Sequence, residues 1–346
     1  MILGLLRLGA ALIVMGASVP AVLALMGFAV PLFDLFNHLQ LLLFLGTLGG
    51  LVLALLLRMR RRWQVLALVG LAASAWTFGP EWLSGFAPRP APATGATMLK
   101  VMTHNVFGLN YDIERIAAAI RAEDPDIVAL QEFFPEQAGL AQLLKDRYPY
   151  FVQCRGGKRA NLALFSKLNF EPTMRIEDCP PNARGEQRTA HITGRFTLSD
   201  GTVFSLMTTH MDWPYPLERQ RDQLDAAAEA INATEGPLLV VGDFNSTPWA
   251  YALKRFEAAT GLRRETRALL TYPELFTVPA SAARLGFLPL EPSACTRNCY
   301  TRLLRLTPFL PLDQVFQRGI TVSELHAGGQ TGSDHLPVVF SFAVTP

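Results

Sequence analysis

Charge is scarce in this sequence, and near its start it almost vanishes. Charged residues make up 17% of the 346 and hydrophobic ones 50%, with a mean hydropathy of +0.23. Leu8 to Phe33 contains no charged residue, and neither does Leu39 to Leu57 nor Trp63 to Pro80. Each run approaches the roughly 20 apolar residues that cross a hydrocarbon core as a helix. Three transmembrane helices are therefore predicted, at about 8–33, 39–57 and 63–83, with Pro20 inside the first. One cleaved signal peptide does not account for them. The second and third runs follow the first at once, without a small-residue cleavage site between them. The lack of charge inside the runs also argues against a transport path, which needs intramembrane polar groups.

A basic surplus is missing from the rest. Met98 to Pro346 holds 25 Lys and Arg against 27 Asp and Glu, a net of −2, so the +2 of the whole chain comes from its front. That speaks against tight, sequence-independent binding to nucleic acid. Internal repeats are absent. Cysteine is limited to Cys154, Cys179, Cys295 and Cys299, and neither nearby pair has zinc-knuckle spacing. An even number in an oxidising compartment points to disulfides. Of three possible pairings, Cys154–Cys179 with Cys295–Cys299 is the expected one.

Arg58, Arg60, Arg61 and Arg62 lie between the second and third runs. Short arginine-rich loops stay cytoplasmic, so whatever follows the third helix is expected in the periplasm or outside the cell. Asp34, Asn37 and His38 fall in the short outer turn. The division expected is a membrane anchor (1–86), a Pro/Ala linker (87–97) and one large domain (98–346).

That domain has short apolar runs that finish in polar residues. Leu99 to Val106 alternates like a half-buried strand and ends around Asn105. Ile113, Ile116, Ala117 and Ile120 mark a helix capped by Asp112, and Ile127 to Leu130 is a buried strand ending in Gln131-Glu132, which together suggest a crossover unit. Thr189 to Leu198 and Val203 to Thr209 read as a hairpin, the second arm ending at His210. Pro237 to Val241 runs into Gly242-Asp243-Phe244-Asn245, and Thr247 and Pro248 suit the start of a helix. Thr266 to Thr307 reads as long loops, in which Leu285 to Leu288 is a candidate lipid-facing stretch. Leu312 to Phe316 carries Asp313 near its start, Thr331 to His335 is a turn, and Leu336 to Val344 is a last strand. Polar residues at so many strand ends point to one shared site at an edge of a sheet core.

The ordered set Asn105, Gln131-Glu132, Thr209-His210-Met211-Asp212, Gly242-Asp243-Phe244-Asn245 and Ser333-Asp334-His335 resembles the endonuclease/exonuclease/phosphatase superfamily, which includes deoxyribonucleases, abasic-site endonucleases, inositol-polyphosphate phosphatases and sphingomyelinases. The resemblance covers Met98 to Val344. It implies an α/β fold, a four-layer α/β/β/α sandwich of two packed mixed sheets, and a Mg2+- or Mn2+-dependent phosphoesterase. It implies Glu132, Asn105 and Asp334 at the metal. Asp243, helped by Asn245, would activate the attacking water. His210 and His335 would contact the phosphate, with Asp313 holding His335. Arg188 is a candidate substrate cation. Where some nucleases carry an acid after the first asparagine this chain has Phe107, and a phosphate-contacting tyrosine of the repair nucleases has no obvious counterpart. The expected substrate is a phosphodiester in nucleic acid, with a phospholipid or small phosphoester as the alternative and a non-catalytic scaffold behind both. No obligate protein partner is expected.

Overall fold

Alternation along the strands builds this fold from the inside out. The structure, a computed structural model, describes residues 1–156, 159–180, 190–279 and 300–345. Its elements are α1 (Ile2–Ala24), α2 (Pro31–Asp34) with a 3-10 turn (Leu35–Leu39), α3 (Gln40–Leu56), α4 (Arg61–Ser84), β1 (Leu99–Asn105), α5 (Ile113–Glu123), β2 (Ile127–Gln131), α6 (Gly139–Leu144), β3 (Tyr150–Cys154), β4 (Leu162–Ser166), β5 (Phe170–Pro172), β6 (His191–Thr197), β7 (Val203–His210), α7 (Leu217–Ala233), β8 (Leu238–Asp243), α8 (Tyr251–Thr260), β9 (Arg263–Arg264), β10 (Leu275–Pro279), β11 (Tyr300–Arg305), β12 (Asp313–Arg318), β13 (Ile320–Ala327) and β14 (Val338–Val344).

Two six-stranded mixed sheets form, ordered β13-β14-β1-β2-β4-β3 and β5-β6-β7-β8-β12-β9. Each contains one parallel pair, β1 with β2 and β7 with β8, joined by α5 and α7 respectively, as parallel crossovers require. Leu239 and Val241 of β8 pack with Val101, Leu164, Leu206 and Phe340 between the sheets. Their neighbours Leu238 and Val240 pack outward with Leu224, Ile231 and Leu253 of α7 and α8. On the far side Met102, Val128 and Leu130 meet Ile116, Ile120 and Leu140 of α5 and α6. The layers are therefore helix, sheet, sheet, helix, as expected. A strand buried on both faces needs continuous apolar residues, which accounts for the unbroken Leu238–Val241. Cys154 and Cys179 form the disulfide expected; Cys295, Cys299 and Leu285 to Leu288 lie outside the described residues.

Two expectations need correction. Among the described residues, two stretches are long and apolar enough to cross a bilayer, Ile2–Ala24 and Pro31–Leu56, not three. The third run does form a helix, but α4 opens on Arg61 and Arg62 and carries Gln64, Thr77 and Glu81, which dilute its apolarity. The stretch read as loops from Thr266 holds an antiparallel pair, β10 with β11, which its prolines concealed.

The N-terminal helices pack as a bundle with distinct ends. At one, Arg7 Nε donates to Leu57 O at 3.1 Å, close to the Arg58–Arg62 cluster. The other meets the sandwich. Arg264 makes a two-pronged pair with Glu81, both contacts 2.8 Å. Arg267 Nη1 donates to Ser84 O at 2.5 Å. The segment 87–97 lies along the domain, with Arg89 Nη1 3.2 Å from Glu265 Oε2.

Candidate active site

The pleat decides which side chains meet. Counting by twos from core residues between the sheets reaches Asn105 on β1 (from Val101), His210 on β7 (from Phe204 and Leu206), Asp243 on β8 (from Leu239 and Val241) and Asp313 on β12 (from Val315). All four end on the inner faces, and all are buried. Glu132, one residue past Gln131, would by this count face outward. Its backbone turns instead into the left-handed region, φ 56°, as do Phe107 (59°) and Asn245 (47°). Such conformations cost about 1–3 kcal/mol each in non-glycine residues and gather at functional sites. Gly242, φ 146°, allows a close approach of neighbouring strands. A Cβ there would collide with the carbonyl oxygen of Thr209 on β7.

Hydrogen bonds join the sheets at this edge, among them Gln131 Nε2 to Thr208 Oγ1 at 2.9 Å. Asn105 Nδ2 donates to Asp243 Oδ2 at 2.9 Å and, at 3.4 Å, to Glu132 Oε1; its Oδ1 accepts from Phe107 N. His335 Nδ1 pairs with Asp313 Oδ2 at 2.8 Å. His335 Nε2 lies 3.7 Å from Asp243 Oδ2, and His210 Nε2 lies 3.3 Å from that same oxygen. Glu132 Oε1 is 3.9 Å from His210 Nε2, and Glu132 Oε2 accepts from Gly108 N at 2.9 Å. Asn245 Nδ2 donates to Met211 O at 3.0 Å, and Asn245 N to Asp243 Oδ1 at 2.8 Å. Asp334 stands at the rim, where Ser333 Oγ reaches its Oδ1 at 3.4 Å. Eight predicted residues are thus brought to one edge. Arg188 lies outside the described residues.

The electrostatics follow from burial and from these pairs. Burial alone would strip the proton from His335, but the charges of Asp313 and Asp243 push it up to about 10. Burial raises Asp243 as well. The His335 charge and the bonds from His210 and Asn105 outweigh it, holding this carboxyl far below the usual carboxylate range. Asp334 is pushed up to about 6, by burial first and also by the charges of Glu132 and Asp243. At neutral pH the site presents an ionised Asp243 beside an imidazolium.

A divalent cation suits this donor set. Glu132 and Asp334 offer hard carboxylate oxygens next to Asp243, and their mutual repulsion is what a cation relieves. Among the described residues the buried Asn245 Oδ1 has no hydrogen-bond partner, an acceptor open to a donor from outside the chain. Asp243, Asp313 and His335 also bring ligand-type atoms within 4.8 Å of one another. In that trio the Asp313–His335 bond already engages the facing carboxylate and ring nitrogen, so it reads as an acid–imidazole pair.

Three contributors escaped the sequence reading. Arg159 reaches in from the loop after β3: its Nη1 is 2.9 Å from His210 Nε2, its Nε 2.9 Å from Asp212 Oδ1, and its Nη1 3.8 Å from Glu132 Oε1. Nothing in the Gly156-Gly157-Lys158-Arg159 stretch marked it beyond its charge. Tyr272 sets its ring 4.7 Å from that of His335, and burial with the charges of Asp334 and Asp243 pushes its phenol up to about 12. Gln220 of α7 donates to Asp212 O at 2.7 Å and to Phe244 O at 3.2 Å, tying the two motif loops together. Its neighbour Gln223 accepts from Asp212 N at 2.6 Å.

Comparison with known proteins agrees with this fold. A UPF0294 protein of Vibrio cholerae is 28% identical over 152 residues, 44% of each chain, so the match spans less than half of that relative. The solved endonuclease/exonuclease/phosphatase from Bacteroides vulgatus superposes with a TM-score of 0.52 at 18% identity, over 72% of this chain and 99% of that one. D. rerio TDP2, solved with a single-strand DNA product, gives 0.50 at 15% identity, over 72% and 100%. At such identities the likeness is one of fold. The family model for the Endonuclease/Exonuclease/phosphatase family matches residues 102–335. That stretch contains every residue converging on this edge, from Asn105 to His335, and the chain therefore belongs to the endonuclease/exonuclease/phosphatase family.

Proposed function

We propose that the protein is a divalent-metal-dependent phosphoesterase that hydrolyses phosphodiester bonds. One observation carries the reading: the Asp243 carboxylate and His335 Nε2 stand 3.7 Å apart, each side chain held by a hydrogen bond to the opposite sheet. Asp243 accepts a proton from the attacking water and aims it, with Asn245 fixing the carboxylate's direction. Asp313 occupies Nδ1 of His335, so Nε2 is left to donate to a phosphoryl oxygen as charge builds on it. Arg159, whose Nη1 lies 2.9 Å from His210 Nε2, adds a guanidinium as a second cation for the phosphate. Mg2+ or Mn2+ held by Glu132 and Asp334 beside Asn105 would offset the phosphate's negative charge.

Nucleic acid is the proposed substrate, supported by the fold shared with a structure bearing a single-strand DNA product. A phospholipid or small phosphoester is the second reading. It is favoured by the loop after Asn245, where Thr247 contacts His38 of the outer turn between the apolar helices. We read those helices as a membrane anchor. Their arginine-rich end lies opposite the sandwich, which supports a catalytic domain in the periplasm or outside the cell. The test uses the full chain in detergent or lipid discs. Plasmid DNA and phospholipid vesicles are offered with Mg2+ or Mn2+, then with chelator. Hydrolysis of one substrate, lost with chelator and regained with metal, is expected. Metal-independent turnover, or an Asp243→Ala enzyme of full activity, overturns the reading.

A further inference from the structure

The loop that leaves the candidate active site is fastened to the N-terminal helices. Between Asn245 and the first residue of α8 lie Ser246 to Ala250. Thr247 N donates to His38 Nδ1 at 3.3 Å and Thr247 Oγ1 to Asn37 O at 3.4 Å. Trp249 is fully buried, its ring 5.4 Å from that of Phe78 on α4. Ala250, at the N-cap of α8, has no side chain to cap with. The cap comes from 217 residues away: Asp34 Oδ1 accepts from Tyr251 N at 2.8 Å, and Oδ2 from Ala252 N at 2.9 Å. A carboxylate suits a helix N-terminus, where free amides and the helix dipole both favour it.

Asp34 is itself held from behind. Asn37 Nδ2 donates to Asp34 Oδ1, Gln40 Nε2 to Asn37 Oδ1, and Ser74 Oγ to Gln40 Oε1, each at 2.9 Å. All four side chains are buried. Polar groups buried in an apolar bundle are costly unless every member is satisfied. Here they form one bonded line from α4, through α3 and the outer turn, to the first turn of α8. The line ends at the amides of Tyr251 and Ala252, and Thr247 ties the loop to the same turn two residues beyond the strained Asn245, whose carbonyl accepts from Gln220 at 3.3 Å.

We propose that the Asp34–His38 turn is a positioning element of the active site. It sets the path of residues 246–252, and through them the placement of Asn245 and Asp243. Turnover then depends on how the N-terminal helices are packed. The proposal rests on the phosphoesterase reading, and its test separates the two. Full-length Asp34→Ala, His38→Leu and His38→Asn chains are compared with the parent in lipid discs, with the metal and substrate that support parental turnover. A misplacement on the 1 Å scale costs up to about a hundredfold. Asp34→Ala and His38→Leu should therefore lose about tenfold or more in kcat, with KM moving by no more than about twofold. Asn keeps an acceptor near the Nδ1 position, so His38→Asn should recover most of the loss. Amide exchange is the second readout. Thr247, Tyr251 and Ala252 should lose protection in Asp34→Ala while Leu239 to Val241 keep theirs. Parental kcat in both Asp34→Ala and His38→Leu, or unchanged exchange at the three amides, overturns the proposal. Should Asp34→Ala fail to fold, the His38 pair decides. An inactive parent counts against the phosphoesterase reading alone, and amide exchange then decides this one.

Discussion

Replacing Asp313 with asparagine should change how the rate depends on pH, and not merely lower it. Asp313 is fully buried and its Oδ2 lies 2.8 Å from His335 Nδ1. Its charge is the largest of the attractions that lift His335 from 6.5 to about 10. Asparagine preserves shape and removes the charge. Burial then pulls His335 down, and only Asp243, 3.7 Å from Nε2, still supports the imidazolium. A histidine titrating near 6.5 is protonated about 1% of the time at pH 8.5, so the variant should lose roughly a hundredfold there and much less at pH 5.5. Support from Asp243 would reduce the loss to about tenfold. The sign for stability is the same. A folded-state pKa above the unfolded one stabilises fully below about 6.5, and the gain is lost as pH rises toward 10. The assay is kcat/KM of full chain from pH 5.5 to 9.5 at saturating metal, parent against Asp313→Asn. A variant that is slower by the same factor at every pH would refute the claim that Asp313 keeps His335 charged.

Asp243→Ala should reduce kcat by on the order of a thousandfold or more while the protein stays folded by circular dichroism. Arg159→Leu should lower kcat/KM by about tenfold or more, since it removes a cation next to His210 and Glu132; steady-state kinetics on the substrate found active checks this. Cys154→Ser should destabilise the domain by about 3 kcal/mol, as expected for opening a loop with a sequence separation of 25, read as a lower denaturation midpoint without reductant. Gly242→Ala should cost several kcal/mol, because it combines a disfavoured φ with a collision against Thr209 on the neighbouring strand; thermal unfolding measures it.

The sandwich and most of its site were legible because the pleat is a simple rule. Once Leu238 to Val241 is read as a strand, the facing of Asp243 follows, and Asn105, His210 and Asp313 yield to the same counting. Glu132 did not follow from alternation. It reaches the site through a left-handed backbone that no period predicts, and only its place beside Gln131 in the motif marked it. Arg159 and Tyr272 come from loops, where no period places a side chain. Thr247 looked like a helix cap by local rules, but α8 begins four residues later with Asp34 as its cap. A partner so distant in sequence leaves no local trace.

The four groups on the inner pleats come from both sheets, Asn105 from one and His210, Asp243 and Asp313 from the other, and His335 precedes the last strand of the first sheet. The bonds that aim the chemistry are therefore also rivets across the sandwich. Sliding one sheet against its mate would pull Asn105 from Asp243 and His335 from Asp313 in a single movement. Whatever bridges the mouth of this site should tighten the entire domain, and whatever loosens the sheets should silence it long before they separate.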